Sequence, residues 1–244
     1  MKLRAVAFDI YHTLFEVGPP PADAGERWEA LWKDALADPP RLTLDEFAVE
    51  CDKIIRRDHA AARRVGVLYP EIYWPAVAKE ALPELARLGE TERDEVLYQH
   101  AKLQRTVRLM PGAAETLSDL ARRRVLLGLI SNCQPYTLRE LDSALSTGHI
   151  HRSVFKAELC FFSFKAGFSK PNPHAFRVLA AQLQACEVST AETLVVGDRL
   201  DHDLEPAQAQ GFQTWLLTAA PSADGHTGGD WPLLRRHIAT RIVS

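Results

Sequence analysis

Short apolar runs that stop abruptly at polar residues constrain this chain more than any other feature. Residues 3–8 form such a run and end at Asp9. Residues 125–130, 193–196 and 214–217 repeat the pattern, and 154–162 reads as a further strand. Runs this short and continuous suit parallel strands covered on both faces, where neither side of the strand meets water. Helical patterns alternate with them. Pro111-Gly112 opens one, with Ala113, Leu117, Leu120 and Ala121 at helical spacing. Pro173 opens another, with Phe176, Leu179, Ala180 and Leu183 on one face, and proline suits a first turn because its missing N–H has no partner there. A third helix is expected over 203–210, ending at Gly211. The alternation predicts βαβ units in a doubly wound α/β parallel sheet.

Residues 16–104 break this rhythm, and no strand is expected there. Trp28, Leu31, Trp32, Ala35 and Leu36 recur at i, i+3, i+4, i+7 and i+8. Leu44, Phe47, Ala48, Cys51, Ile54 and Ile55 follow the same period, behind a capping-box spacing of Thr43 and Glu46. Two more helices are expected near 71–82 and 91–103. Four amphipathic helices in succession predict a small bundle inserted after the first strand, led in by Gly18-Pro19-Pro20-Pro21. Trp28, Trp32, Tyr73 and Trp74 are expected in its core. Residues 219–230, rich in Gly, Ala, Ser and Asp, read as loosely ordered.

The net charge of −3 over 244 residues argues against a polyanion binder, so no nucleic-acid partner is expected. Cys51, Cys133, Cys160 and Cys186 form no C-x-x-C pair and read as reduced thiols, which points to a cytoplasmic protein. The apolar start is too short for a signal sequence, and no run of about 18 apolar residues predicts a membrane span.

Four polar stretches stand at strand ends or open a helix: Asp9-Ile10-Tyr11-His12-Thr13-Leu14, Ser131-Asn132, Lys170-Pro171-Asn172-Pro173, and Gly197-Asp198-Arg199-Leu200-Asp201-His202-Asp203. In open α/β sheets ligands bind outside the carboxyl ends of the strands. Together, in this order and with a helical insertion after the first, these stretches resemble the motifs of the haloacid dehalogenase superfamily, whose members are mostly phosphatases. The resemblance implies a Rossmann-like core over 1–15 and 105–244 and a helical cap over 16–104. It implies that Asp9 is the nucleophile and that Mg²⁺ is held by Asp9, Asp198, Asp203 and the backbone carbonyl of Tyr11. A cation is needed because nucleophile and phosphate are both anions. Thr13, Ser131 and Asn132 would donate to phosphate oxygens, and Lys170 would neutralise developing charge. The substrate would be a small anionic molecule. Asp201 stands as the alternative to Asp203, which also suits a helix N-terminus.

The chain departs from the phosphatase pattern at Tyr11, where that branch carries a second Asp as proton donor and base. Tyrosine, with an ordinary pKa near about 10, is a poor base at neutral pH. Either Tyr11 or the adjacent His12 would have to replace that Asp, or the substrate would be an acyl or aryl phosphate that needs no proton on leaving. Tyr at this position resembles the metal-free dehalogenases of 2-haloacids, whereas Asp198 and Asp203 resemble the metal-binding phosphatases. A binding protein that keeps the fold without turnover is the third possibility. Cys133, beside Ser131-Asn132, has no base assigned to it and reads as a structural thiol. Lys53, Arg56, Arg57, His59, Arg63 and Arg64 read either as a solvated helix face or as an anion-facing group of the cap.

Overall fold

The computed structural model describes residues 2–219 and 227–242. The described residues form eight strands: β1 (Ala5–Phe8), β2 (Phe15–Gly18), β3 (Thr106–Leu109), β4 (Leu126–Ser131), β5 (Cys160–Phe162), β6 (Thr193–Gly197), β7 (Gln213–Leu217) and β8 (Gly228–Gly229). Six of them make one parallel sheet in the order β5-β4-β1-β6-β7-β8. The helices are α1 (Ala24–Leu36), α2 (Leu44–Arg64), α3 (Trp74–Ala81), α4 (Glu90–Gln104), α5 (Ala113–Arg122), α6 (Pro135–Thr147), α7 (Ser163–Ala166), α8 (Pro173–Ala185), α9 (Glu205–Gln208) and α10 (Trp231–Ala239).

Alternation along β1 explains why the sheet is covered twice. Val6 and Phe8 face a cluster that takes in Leu117 and Leu120 of α5, Leu141 and Leu145 of α6, and Leu234 and Ile238 of α10. Ala5 and Ala7 face the other side, against Phe176, Leu179 and Leu183 of α8 and Ala207 of α9. Successive side chains of a strand point to opposite faces, so a strand buried on both must be apolar throughout.

The helices over 24–104 have an apolar cluster of their own. It joins Trp28 and Trp32 of α1, Phe47, Cys51 and Ile54 of α2, Val77, Ala78 and Ala81 of α3, and Val96, Leu97 and Leu103 of α4. Thr43 caps α2 with the capping box expected of it: its hydroxyl accepts from the Glu46 N–H while the Glu46 carboxylate accepts from the Thr43 N–H. Hydrogen bonds join these helices to the segments around the sheet. The Tyr69 carbonyl accepts from the Ser169 N–H at 2.9 Å, and the Gln134 carboxamide bonds the Trp74 N–H, the Ile72 carbonyl and the Glu71 carboxylate.

Several expectations are corrected. Residues 16–104 are not free of strand, because β2 pairs antiparallel with β3 to make a two-stranded ribbon between sheet and helices. Two four-residue strands that meet only across the helical insertion leave no local periodicity to read. The strand expected over 154–162 is confined to Cys160–Phe162, behind two tight turns at Arg152–Val154 and Ala157–Leu159. The helix expected at 203 begins earlier, as a π turn at Leu200–Leu204 that runs into α9. Tyr73 is half exposed rather than in the bundle core, whereas Trp28 and Trp32 are buried. Of the segment expected to be loose, 220–226 lie outside the described residues, while Gly228–Gly229 form β8 and Asp230 caps α10.

Replacing Thr43 by Ala should destabilise the protein by about 0.5–2 kcal/mol, because the Glu46 N–H loses its acceptor. Urea unfolding followed by circular dichroism measures this, and an unchanged midpoint would mean that α2 does not depend on its cap.

Candidate active site

Register alone brings the polar stretches together. Phe8 pairs with Leu129 of β4 on one side and with Val196 of β6 on the other. One residue further on, the Asp9 N–H donates to the Val196 carbonyl at 2.9 Å. Asp9, Ser131 and Asp198 therefore emerge at the carboxyl ends of three adjacent strands. Lys170, just ahead of α8, reaches the same edge.

The Lys170 ammonium is buried and fully partnered. Nζ donates to Asp9 Oδ1 at 2.7 Å, to Asp203 Oδ1 at 2.5 Å and to the Ile130 carbonyl at 2.8 Å. Burial works against its charge, but Asp9 and Asp203 outweigh that and hold its pKa above the ordinary lysine value. The Asn132 side chain is engaged with this same segment. Its Nδ2 donates to the Lys170 carbonyl at 2.9 Å and its Oδ1 accepts from the Lys170 N–H at 2.7 Å. Asn132 thus holds the Lys170 backbone in place. Asp203 comes close because residue 197 has no side chain: a Cβ there would lie 2.5 Å from the Asp203 side chain. Asp203 Oδ2 also accepts from the Arg199 N–H at 3.1 Å.

Asp9, Asp198 and Asp203 each offer a carboxylate oxygen within 4.8 Å of the others. Burial pushes the Asp9 carboxyl up to about 6; Lys170 opposes this, and Asp203 and Asp198 add to it. Asp198, half-buried, is raised by burial and by Asp203. Three carboxylates and one ammonium leave an excess of negative charge in a largely buried crevice. An all-oxygen donor set of this kind suits a hard divalent cation, which would relieve the repulsion. Two hydroxyls point to a second ligand. Thr13 Oγ1 and Ser131 Oγ are fully buried and have no hydrogen-bond partner among the described residues. Buried polar groups without partners are rare enough to need a reason, and a bound anion supplies one.

Tyr11 is placed otherwise. Its hydroxyl donates to Glu140 Oε2 at 2.5 Å, accepts from Arg105 Nη2 at 2.6 Å and lies 2.7 Å from Thr137 Oγ1. The Arg105 guanidinium also covers the ring at 4.5 Å. Burial drives the phenol pKa far up, with Arg105 opposing. His12 is exposed and left-handed at φ 60°, a conformation glycine adopts without strain. Asp201 is exposed and paired with Arg199 and His202, apart from the carboxylate cluster. Cys133 is buried, which raises its thiol pKa, and all four cysteines are free.

Of the basic stretch of α2, Lys53, Arg56 and Arg57 behave as a solvated face, whereas His59 is half-buried with its Nε2 unpartnered among the described residues. Lys53 pairs with Glu50, Arg56 with Asp52, and Arg57 with Glu80, all exposed. Sequence reasoning missed Arg105, Thr137, Glu140 and Gln134, which bind the end of the helical insertion to the sheet. The one available signal was an acidic residue, Glu140, on the inner face of an amphipathic helix.

The family model for haloacid dehalogenase-like hydrolases matches residues 3–211. No curated protein matches the chain. Among solved structures it is similar to a 2-haloacid dehalogenase from Pseudomonas syringae pv. Tomato DC3000, with 19% identity, a TM-score of 0.63 and coverage of 98% of this chain and 99% of that one. A HAD phosphatase from Thermococcus onnurineus aligns with 17% identity, a TM-score of 0.56 and coverage of 98% and 99%. A magnesium-bound putative HAD-hydrolase from Bacillus subtilis aligns with 21% identity, a TM-score of 0.52 and the same coverage. At these identities the likeness establishes the fold.

Asp9 also makes a pH prediction. Its folded pKa of about 6 lies above its ordinary 3.8. The stability linked to it is therefore full below the lower value and lost as pH rises through the upper one. In EDTA, melting temperature should fall between pH 4 and 7, and Asp9→Asn should flatten that fall. Differential scanning fluorimetry across this range checks it; parallel profiles for the two proteins would contradict it.

Proposed function

Because the chain belongs to the haloacid dehalogenase-like hydrolase family, we propose that it is a magnesium-dependent phosphohydrolase of a small anionic metabolite, acting through an aspartyl-phosphate at Asp9. The observation that carries this reading is the Asp9–Asp198–Asp203 cluster with the Lys170 ammonium wedged into it. In this reading residues 1–15 and 105–244 are the catalytic core and 16–104 the cap that limits access to it.

A carboxylate oxygen of Asp9 attacks phosphorus, and the bond to the leaving oxygen breaks as the new one forms. Water then attacks the same phosphorus, releasing inorganic phosphate and regenerating Asp9. Mg²⁺, held by Asp9, Asp198, Asp203 and the Tyr11 carbonyl, would offset the charge that keeps two anions apart. Lys170 stabilises charge on the transferring group and holds Asp9 in line. The orphaned hydroxyls of Thr13 and Ser131 donate to phosphate oxygens, while Asn132 acts through Lys170.

The Tyr11 hydroxyl is tied into the Arg105–Glu140 pair, and its raised pKa makes it a weaker acid still. We therefore assign it a structural part, not the proton transfer. The substrates that fit are acyl or aryl phosphates, whose leaving oxygens depart without a proton. One observation favours a second reading: Tyr11 takes the place of the acid a phosphatase uses. A metal-free enzyme forming an ester at Asp9 and expelling halide from a 2-haloacid would need no such acid.

Hydrolysis of p-nitrophenyl phosphate and acetyl phosphate should require Mg²⁺, stop with EDTA and be abolished in Asp9→Asn. Lys170→Met should lower kcat by about 10²–10³, the usual loss when one transition-state charge partner is removed. Inactivity on both phosphates, with chloride released from 2-chloropropionate in EDTA, would establish the dehalogenase instead.

Tyr11→Phe should leave kcat on acetyl phosphate within about threefold yet cost about 1–3 kcal/mol of stability, because Arg105 and Glu140 lose a buried partner. Steady-state kinetics beside urea unfolding separates these. A large loss of kcat at unchanged stability would return the proton transfer to Tyr11.

A further inference from the structure

The loop that follows α2 leaves apolar side chains in water. Val65, Leu68, Tyr69 and Tyr73 are all but one of the large apolar side chains exposed among the described residues. Val65 is 80% exposed and Leu68 69%. Water disfavours such side chains, so several of them exposed together mark a contact surface. Two cations stand beside them. Arg63 and Arg64, in the last turn of α2, are exposed and have no ion-pair partner among the described residues. Arginine and tyrosine are the residues that protein interfaces favour. The loop is also held in shape, so it has little freedom to lose on docking. The Val67 N–H donates to the Ala62 carbonyl at 3.1 Å, and the Glu71 N–H donates to the Gly167 carbonyl at 3.1 Å.

A groove of about 800 Å³ between α1 and the start of α4 has the complementary character. Leu31, Ala35, Leu88 and Val96 are its apolar lining. Asp34, Glu90, Glu92, Asp94 and Glu95 are its acidic lining, with Arg139 beside them. Glu95 is taken up by Arg139 at 2.6 Å, and Glu92 accepts from the Gly89 N–H at 2.9 Å. Asp34, Glu90 and Asp94 are exposed and without an ion-pair partner among the described residues. No residue of the 63–73 loop lines the groove, so the loop does not fill the groove of its own chain.

We propose that this groove receives the 63–73 loop of a second copy of the chain. Arg63 and Arg64 meet Asp34, Glu90 and Asp94, while Val65 and Leu68 cover the apolar lining. Exchanged in both directions, the contact closes about a two-fold axis, the commonest symmetry of soluble oligomers. A lipid surface would also take up the loop's apolar side chains. It would leave the acidic groove unused, and the net charge of −3 works against an anionic bilayer. Association of this kind is independent of the phosphohydrolase reading.

Analytical ultracentrifugation across the micromolar range should show the chain passing to twice its mass as concentration rises. Leu68→Asp should weaken this association by about tenfold or more. So should Arg63→Glu with Arg64→Glu in one protein, and Asp34→Lys with Asp94→Lys in another. All five positions are exposed, and circular dichroism checks that each variant keeps the fold. Mixing the two charge-reversed proteins should restore a dimer of about wild-type strength. Each loop then faces a groove of opposite sign, whereas each variant alone repels itself. A chain that stays monomeric, a dimer indifferent to Leu68→Asp, or charge-reversed proteins that fail to pair would overturn the proposal. A monomer that cosediments with phosphatidylserine vesicles, and no longer does so as Leu68→Asp, would overturn it in favour of a lipid surface.

Discussion

The site is organised around one buried ammonium. Lys170 bonds Asp9 after β1, the Ile130 carbonyl within β4, and Asp203 beyond β6. Three neighbouring strands are therefore tied at their carboxyl ends by one charge. A buried cation is tolerated only when its partners are close and its hydrogen bonds complete, as they are here. Asn132 and Gly197 serve the same arrangement from outside it, one holding the Lys170 backbone and the other making room for Asp203. The ammonium does not balance the carboxylates, and the surplus of negative charge makes the crevice suited to a cation.

A second polar cluster joins the helical insertion to the sheet. Arg105, immediately after α4, reaches Tyr11 after β1 and Glu140 of α6. Gln134, three residues past Ser131, reaches Glu71 and Trp74. The segments that carry Asp9 and Ser131 are thus the ones that grip the inserted helices. Movement of those helices would be felt at Asp9 through Tyr11 and at Ser131 through Gln134.

Much of this was legible in the sequence, for physical reasons that also explain the rest. β1 and β6 were readable because burial on both faces leaves the run almost wholly apolar. Thr43 with Glu46 fixed the start of α2 because a capping box is wholly local. The carboxylates stood out as charged residues directly after apolar strands. β2 and β3 were hidden because each is short and its partner lies beyond the whole insertion. α6 and α10 begin with proline near the N-terminus but were not recognised between less regular neighbours. Arg105 and Glu140 read singly as surface charges, and only their meeting makes them internal. Asn132 reads as a donor to a ligand until the fold brings Lys170 to it.

The β2–β3 ribbon bears on how the chain finds this arrangement. β1 is central in the sheet, yet both of its neighbours lie far along the chain, beyond the insertion. The entropy of closing so long a loop must be met before either pairing yields contacts. By zipping the two ends of the insertion together, the ribbon removes most of that intervening length. Once it forms, β1 and β4 are separated in effect by a short connection, and the helices can fold as a closed excursion without holding the two strands apart.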